Sequence, residues 1–189
     1  MNIWHDIAAD KITPEDFYAV IEITKGSKNK YELDKETGLM LLDRILYTST
    51  HYPANYGFIP RTYADDEDPL DVLVLCSEKI NQLTLVRCYP IGVITMTDGG
   101  KKDDKIIAIP FNDPTYNSYK NLEELPDHIY NEMKHFFEVY KMLEGGKTTS
   151  VDTIQGRDAA VKIIAQTIEH YKNNIYMLLN KHHGIFDGI

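Results

Sequence analysis

No unbroken apolar run in this chain exceeds five residues. Through the first 111 residues the apolar segments are short, alternate with polar positions and are cut by turn residues. Runs of that length suit strands, because a helix needs ten or more residues of sustained 3.6-residue periodicity. Tyr18 to Ile23 places Ala19, Ile21 and Ile23 on one face, with Val20 and Glu22 on the other. Lys30 to Leu33 sets Lys30 and Glu32 opposite Tyr31 and Leu33. Met40 to Leu46, Asp71 to Cys76, Leu85 to Met96 (broken by Pro90 and Gly92) and Ile106 to Ile109 read as further strands. Gly26, Gly38, Gly57, Pro69 and Gly99-Gly100 punctuate them. Strands this short and this closely spaced predict a small closed or nearly closed barrel rather than parallel βαβ units.

The last third reads as helix. Pro126 sits where a first-turn proline belongs, and Gly145-Gly146 supplies a stop. Between them Ile129, Met133, Phe136, Phe137 and Tyr140 fall on one stripe. A second helix is expected from about Asp158 to Asn180, with Val161, Ile164, Ile168, Tyr171, Ile175 and Leu178 recurring at three- and four-residue steps. Such stripes pack against a core. The expected architecture is α+β, mainly β, as one domain spanning residues 1–189.

Charge and composition restrict the function. Asp and Glu number 29 against 20 Lys and Arg, a net charge of −9. Nucleic-acid affinity rests on neutralising phosphates with cationic side chains, so a chain this acidic is a poor candidate for it. No segment approaches the roughly 20 apolar residues of a membrane helix. The start, Met1-Asn2-Ile3-Trp4-His5-Asp6, has neither a basic nor an apolar leader region, and Cys76 and Cys88 form no C-x-x-C pair. A cytoplasmic protein with neither membrane nor nucleic-acid partners is expected.

The chemistry concentrates in Asp65-Asp66-Glu67-Asp68-Pro69-Leu70-Asp71, five acids in seven residues leading into the apolar segment Val72 to Cys76. Carboxylates crowded at a strand mouth repel one another, and a divalent cation relieves that directly. Hard oxygen donors suit Mg²⁺, Mn²⁺ or Ca²⁺. An EF-hand fails: counted from Asp66, the sixth position is Asp71 rather than Gly and the twelfth is Ser77 rather than Glu. A solvated acidic loop and a catalytic metal site both remain open. Candidates for the second are dispersed: Asp98 and Asp103 after another strand, Glu22 and Glu32 on strand faces, and the bases Lys30, Arg44, Lys105 and Lys141. Among 13 tyrosines, Tyr52 and Tyr56 flank a turn just before the acidic loop, where a phenol can donate to phosphate without adding charge. No P-loop, G-x-G-x-x-G, G-x-S-x-G or H-E-x-x-H motif occurs, and His182-His183 is not taken as a metal site.

With these residues in hand, the chain resembles the family I soluble inorganic pyrophosphatases from about Pro14 to Tyr171. The most specific part is Asp66 to Val72, which fits the family signature D-x-D-P-x-D-[aliphatic]. Val20 to Ile23, Lys30-Tyr31-Glu32, Asp43-Arg44, Tyr52 to Gly57, Met96-Thr97-Asp98 and His135 to Lys141 are also similar to the family. Gly99 departs from it, since many bacterial members carry an acid there, and Lys147 to Gly156 and the tail after Tyr171 receive no catalytic role. The resemblance implies an OB-like five-stranded barrel with flanking helices, a homo-oligomer (commonly a homohexamer), and hydrolysis of inorganic pyrophosphate with several Mg²⁺ ions, Mn²⁺ being a substitute. By motif, Asp66, Asp71 and Asp103 would hold ions that activate water, Asp98, Glu32 and Glu22 ions that arrive with substrate, and Asp68 would be the general base. Lys30, Arg44, Tyr56, Lys105, Tyr140 and Lys141 would bind phosphate, with Tyr52 near them. A single-strand-binding OB module and a metal-dependent hydrolase of polyphosphate or nucleoside triphosphate are the rival readings.

Overall fold

The structure, a computed structural model, describes residues 2–145 and 149–183, excepting the side chains of residues 176 and 178–183. Gly146, half of the expected helix stop, and the side chains of Leu178, His182 and His183 lie outside the described residues. The strands are β1 (Phe17–Ile23), β2 (Asn29–Leu33), β3 (Met40–Ile45), β4 (Asn55–Phe58), β5 (Asp71–Val74), β6 (Leu85–Asp98), β7 (Lys101–Lys102), β8 (Lys105–Pro110) and β9 (Thr149–Gly156). The helices are α1 (Asp127–Val139) and α2 (Arg157–His183). Pairing runs β1-β4-β5-β8-β6, and β6 returns to β1, so five strands close a ring. The pair β5–β8 is parallel and the other four are antiparallel. The hairpin β2–β3 stands outside the ring as a separate two-stranded sheet.

Closure explains the uninterrupted apolar segment at Val72. Both faces of β5 and β8 are buried: Leu73, Ile107 and Ile109 join a core with Met133, Phe136 and Phe137 of α1. Val72, Val74, Ile106 and Ala108 join a second core with Ala160 and Ile164 of α2. A strand covered on both sides has no solvent face to require polar alternation. Among the described residues no helix is long and apolar enough to cross a membrane.

Four expectations change. Tyr52 to Gly57 is not simply a turn, since residues 55–58 form β4. Gly57 lies inside that strand because a Cβ there would sit 1.8 Å from the Val20 backbone oxygen, so its role is close backbone approach. The strand from Leu85 is not broken at Pro90 and Gly92. It continues to Asp98 with a register shift between them, which keeps the ring paired while bending it. The last third is not purely helical, because β9 runs antiparallel to β6 from Thr149 to Gly156. Its β-branched Val151, Thr153 and Ile154 were the available sign. Finally, Ile23 does not share a core with Ala19 and Ile21. Ile21 pairs with Gly57 and Ile23 with Tyr56, leaving Glu22 as an extra bulged residue that shifts the strand's facing.

Candidate active site

That bulge is the first positioning device of the site. Glu22, instead of facing water, is 9% exposed, and its Oε1 accepts the Leu33 N–H at 2.8 Å. Burial, reinforced by the charges of Asp71 and Glu32, pushes its carboxyl up to about 8. β2 adds Lys30 and Glu32, which pair with each other, and Lys30 also reaches Asp43 at 3.2 Å. The acidic segment makes a tight turn in which Ala64 N–H donates to the Asp68 carbonyl at 2.8 Å and Glu67 adopts a left-handed φ of 75°. Asp66 Oδ1 accepts the Asp68 N–H at 3.1 Å. Asp66 is held at about 6 by burial and by repulsion from Asp71 and Asp103.

Asp71 opens β5 and Lys105 opens β8, paired in register across the parallel step. Lys105, 3% exposed, binds both Asp71 and Asp103. Burial alone would lower its pKa, but the two carboxylates outweigh that and raise it. Asp103 is raised by burial against the lowering influence of Lys105. The Tyr56 hydroxyl donates to Asp71 Oδ2 at 2.6 Å. At the far end of β6, Asp98 precedes Gly99 and Gly100, whose φ values of 56° and 85° make a two-residue hairpin loop into β7. The glycine departing from the family pattern therefore has a conformational reason. Asp98 pairs with Lys141, which follows Tyr140 at the end of α1.

These side chains line one cavity of about 280 Å³. It gathers Glu22, Lys30, Glu32, Tyr56, Asp66, Asp68, Asp71, Asp98, Asp103, Lys105, Tyr140 and Lys141 from six strands, two loops and a helix end. Two expected residues are not in its lining. Tyr52 is 2% exposed and packs in the core between Tyr56 and Phe136, with ring centroids 5.3 and 4.8 Å away. Arg44 lies across from Lys30 in the β2–β3 register, pairs with Asp43, and bonds Glu144 through Nε at 2.7 Å. Its Nη2 is buried without a hydrogen-bond partner. Among the lining residues that the site expectation did not include are Lys35 and Trp4. Lys35 forms an ion pair with Asp68, and Trp4 is 1% exposed with its indole N–H bonded to the Thr62 carbonyl at 2.9 Å. Neither has a local signal, since each acts on residues more than thirty positions away.

The oxygen donors fit hard divalent ions in type. Among the described residues no three acidic, histidine or cysteine side chains converge as a ready-made cage, and Lys105 stands between Asp71 and Asp103 instead.

Comparison with known proteins agrees with this geometry. A family profile described as inorganic pyrophosphatase matches residues 19–172. The inorganic pyrophosphatase of Aquifex pyrophilus is 48% identical over 171 residues, covering 89% of this chain and 97% of the relative. Soluble inorganic pyrophosphatase 1 of Arabidopsis thaliana is 46% identical over 178 residues, covering 94% and 84%. The crystal structure of the Thermus thermophilus inorganic pyrophosphatase superposes with a TM-score of 0.87 at 37% identity, covering 91% of this chain and 99% of that one.

Proposed function

The chain belongs to the inorganic pyrophosphatase family, and on that premise we propose that it hydrolyses inorganic pyrophosphate to two orthophosphates with divalent ions, Mg²⁺ foremost and Mn²⁺ as a substitute. The carrying observation is the charge inventory of the cavity: seven carboxylates and four lysines, a formal −3 within about 280 Å³. A multiply charged anion is repelled by that field unless cations enter with it. The volume, at the small end of ligand sites, suits a compact phosphoanhydride better than a nucleotide.

When bound, divalent ions supply charge neutralisation and a water acidified toward neutral pH. Asp66, Asp71 and Asp103 would hold the ions that activate water, and Asp98, with Glu32 and Glu22 helping, would hold those that accompany substrate. Asp68 takes the proton of the attacking water as its oxygen bonds to phosphorus. The bridging P–O bond breaks and its electron pair leaves with the second phosphate. Lys35 orients the Asp68 carboxylate through their ion pair. Lys30, Lys105, Lys141, Tyr56 and Tyr140 orient the phosphate oxygens and offset charge on the leaving group, where positioning and electrostatics do most of the catalysis. Arg44, paired with Asp43 and Glu144 outside the cavity lining, is assigned to phosphate by family resemblance and would have to leave Glu144 to reach it.

The test is phosphate release from pyrophosphate, triphosphate and ATP, each with Mg²⁺, Mn²⁺ or neither. Pyrophosphate with Mg²⁺ is expected to be fastest, and Asp68→Asn to lower its rate by about 10²–10⁴-fold. Preference for a longer substrate overturns the substrate assignment, and an unchanged rate in Asp68→Asn overturns the base. The reading includes a cytoplasmic homo-oligomer, a homohexamer by family resemblance. Exposed Leu39, Leu41, Ile45 and Tyr47 along the β3 edge, with Met142 and Leu143 after α1, support self-association. Light scattering at the monomer mass refutes it.

A further inference from the structure

The segment before β1 reaches the cavity from outside the barrel. Trp4, the chain's single tryptophan, stands in the cavity wall with Lys35 and Asp68. Its ring is fixed to the backbone and to α2. The indole N–H donates to the Thr62 carbonyl at 2.9 Å, and the Thr62 hydroxyl oxygen accepts the Leu70 N–H at 2.8 Å. Trp4 is thereby tied to the stem of the loop that carries Asp66 and Asp68. The Trp4 carbonyl accepts the Arg61 N–H at 3.0 Å. His5 stacks on the indole with ring centroids 4.8 Å apart, and its Nδ1 lies 2.9 Å from the Tyr171 hydroxyl of α2.

A ring held this way restrains what sits over it. Lys35, between β2 and β3, places its ammonium 5.1 Å from the indole centroid and pairs with Asp68. A lysine stem is flexible, and the Asp68 side chain is 53% exposed. An ion pair so open to water contributes little and leaves the carboxylate free to turn. An indole face within about 6 Å attracts an ammonium and narrows the positions it can take. The fixed ring restrains Lys35, and Lys35 restrains Asp68.

We propose that Trp4 is a positioning residue for hydrolysis: its face fixes the Lys35 ammonium, which in turn aims the Asp68 carboxylate at the attacking water. The inference rests on Asp68 as the base proposed above, and it adds a segment outside the barrel to the elements that set that base. In this role Trp4 touches neither substrate nor the reacting water. Its removal should therefore cost turnover and spare the affinity for pyrophosphate.

The experiment is a double-mutant cycle on the full chain, reading kcat and KM for magnesium pyrophosphate. Trp4→Leu should lower kcat by roughly 3- to 30-fold, as loss of a cation–π contact would, with KM within about twofold of wild type. A loss confined to KM overturns the role. Lys35→Met should lower kcat at least as much, and an unchanged kcat there also overturns it. In the Lys35→Met background, Trp4→Leu should cost less than about twofold more, because the ammonium it acted through is gone. Losses that multiply refute the proposal, since a ring that merely packs acts independently of Lys35. Trp4→Phe keeps an aromatic face and should recover part of the loss, and recovery no better than leucine counts against it. Should Trp4→Leu fail to fold, the lone indole tests the contact itself: Lys35→Met should change its emission, and a spectrum superposable on wild type overturns the contact. An unchanged kcat in Asp68→Asn is the separate failure of the base assignment, and the emission reads the contact independently of it.

Discussion

Glu22→Gln probes the catalytic cavity at its most deeply buried carboxyl. The carboxyl is held at about 8 against an ordinary 4.5, chiefly because burial disfavours the charge. At about 1.4 kcal/mol per pH unit, that gap amounts to as much as about 5 kcal/mol. Below about pH 4.5 the group is protonated in folded and unfolded chains alike, and it contributes no difference. Between about 4.5 and 8 the unfolded chain has released the proton and the folded chain has not, so wild-type stability falls as pH rises. Above about 8 the loss is complete. The glutamine variant keeps an oxygen for the Leu33 N–H and never ionises. Urea unfolding in EDTA from pH 4 to 9 should therefore show the variant near wild type at the acid end. It should be more stable by about 3–5 kcal/mol at the alkaline end. A stability difference that does not change with pH refutes the reasoning. Divalent ions should shrink the difference, since a bound cation stabilises the ionised form that only glutamate has.

Three further outcomes follow from the same geometry. Lys105→Met should destabilise the metal-free protein by about 2–4 kcal/mol, because it leaves two partly buried carboxylates without their cation. Mg²⁺ should restore part of this, and thermal melting with and without the ion detects both effects, with an unchanged midpoint counting against the pairing. Gly57→Ala should lose more than about 4 kcal/mol or fail to fold, since its Cβ meets backbone rather than a movable side chain. A variant that melts near wild type contradicts that close approach. Asp66, held at about 6, should make Mn²⁺ affinity fall as pH drops below that value, since the protonated carboxyl is a poor ligand. Mn²⁺ titrations at pH 5 and 7 that give the same affinity would rule it out.

Much of the site was readable without coordinates. Asp66, Asp68 and Asp71 are close in the chain, so their spacing and Pro69 confine them to one neighbourhood whatever the fold. The apolar stretch after Asp71 marked a buried strand for the same local reason. Dispersed members such as Asp98, Lys105 and Lys141 stood out by residue type and took their roles from motif resemblance, and nothing in their spacing placed them together. The bulge at Glu22 was invisible to an alternation count, because a bulge exists only relative to a partner strand and its register. Tyr52 illustrates the opposite error. Its position beside Tyr56 in the chain suggested a shared role, yet one faces the cavity and the other the core.

By itself, then, the sequence determined composition, charge, short-strand periodicity and the local acidic turn, all properties of neighbours along the chain. Tertiary structure alone decided which carboxylates face the cavity, that Lys35 reaches Asp68, and that β9 completes the edge of β6. Those outcomes depend on ring closure, which joins residues far apart in sequence. Such contacts are fixed by the global balance of burial and pairing, and no local pattern encodes them.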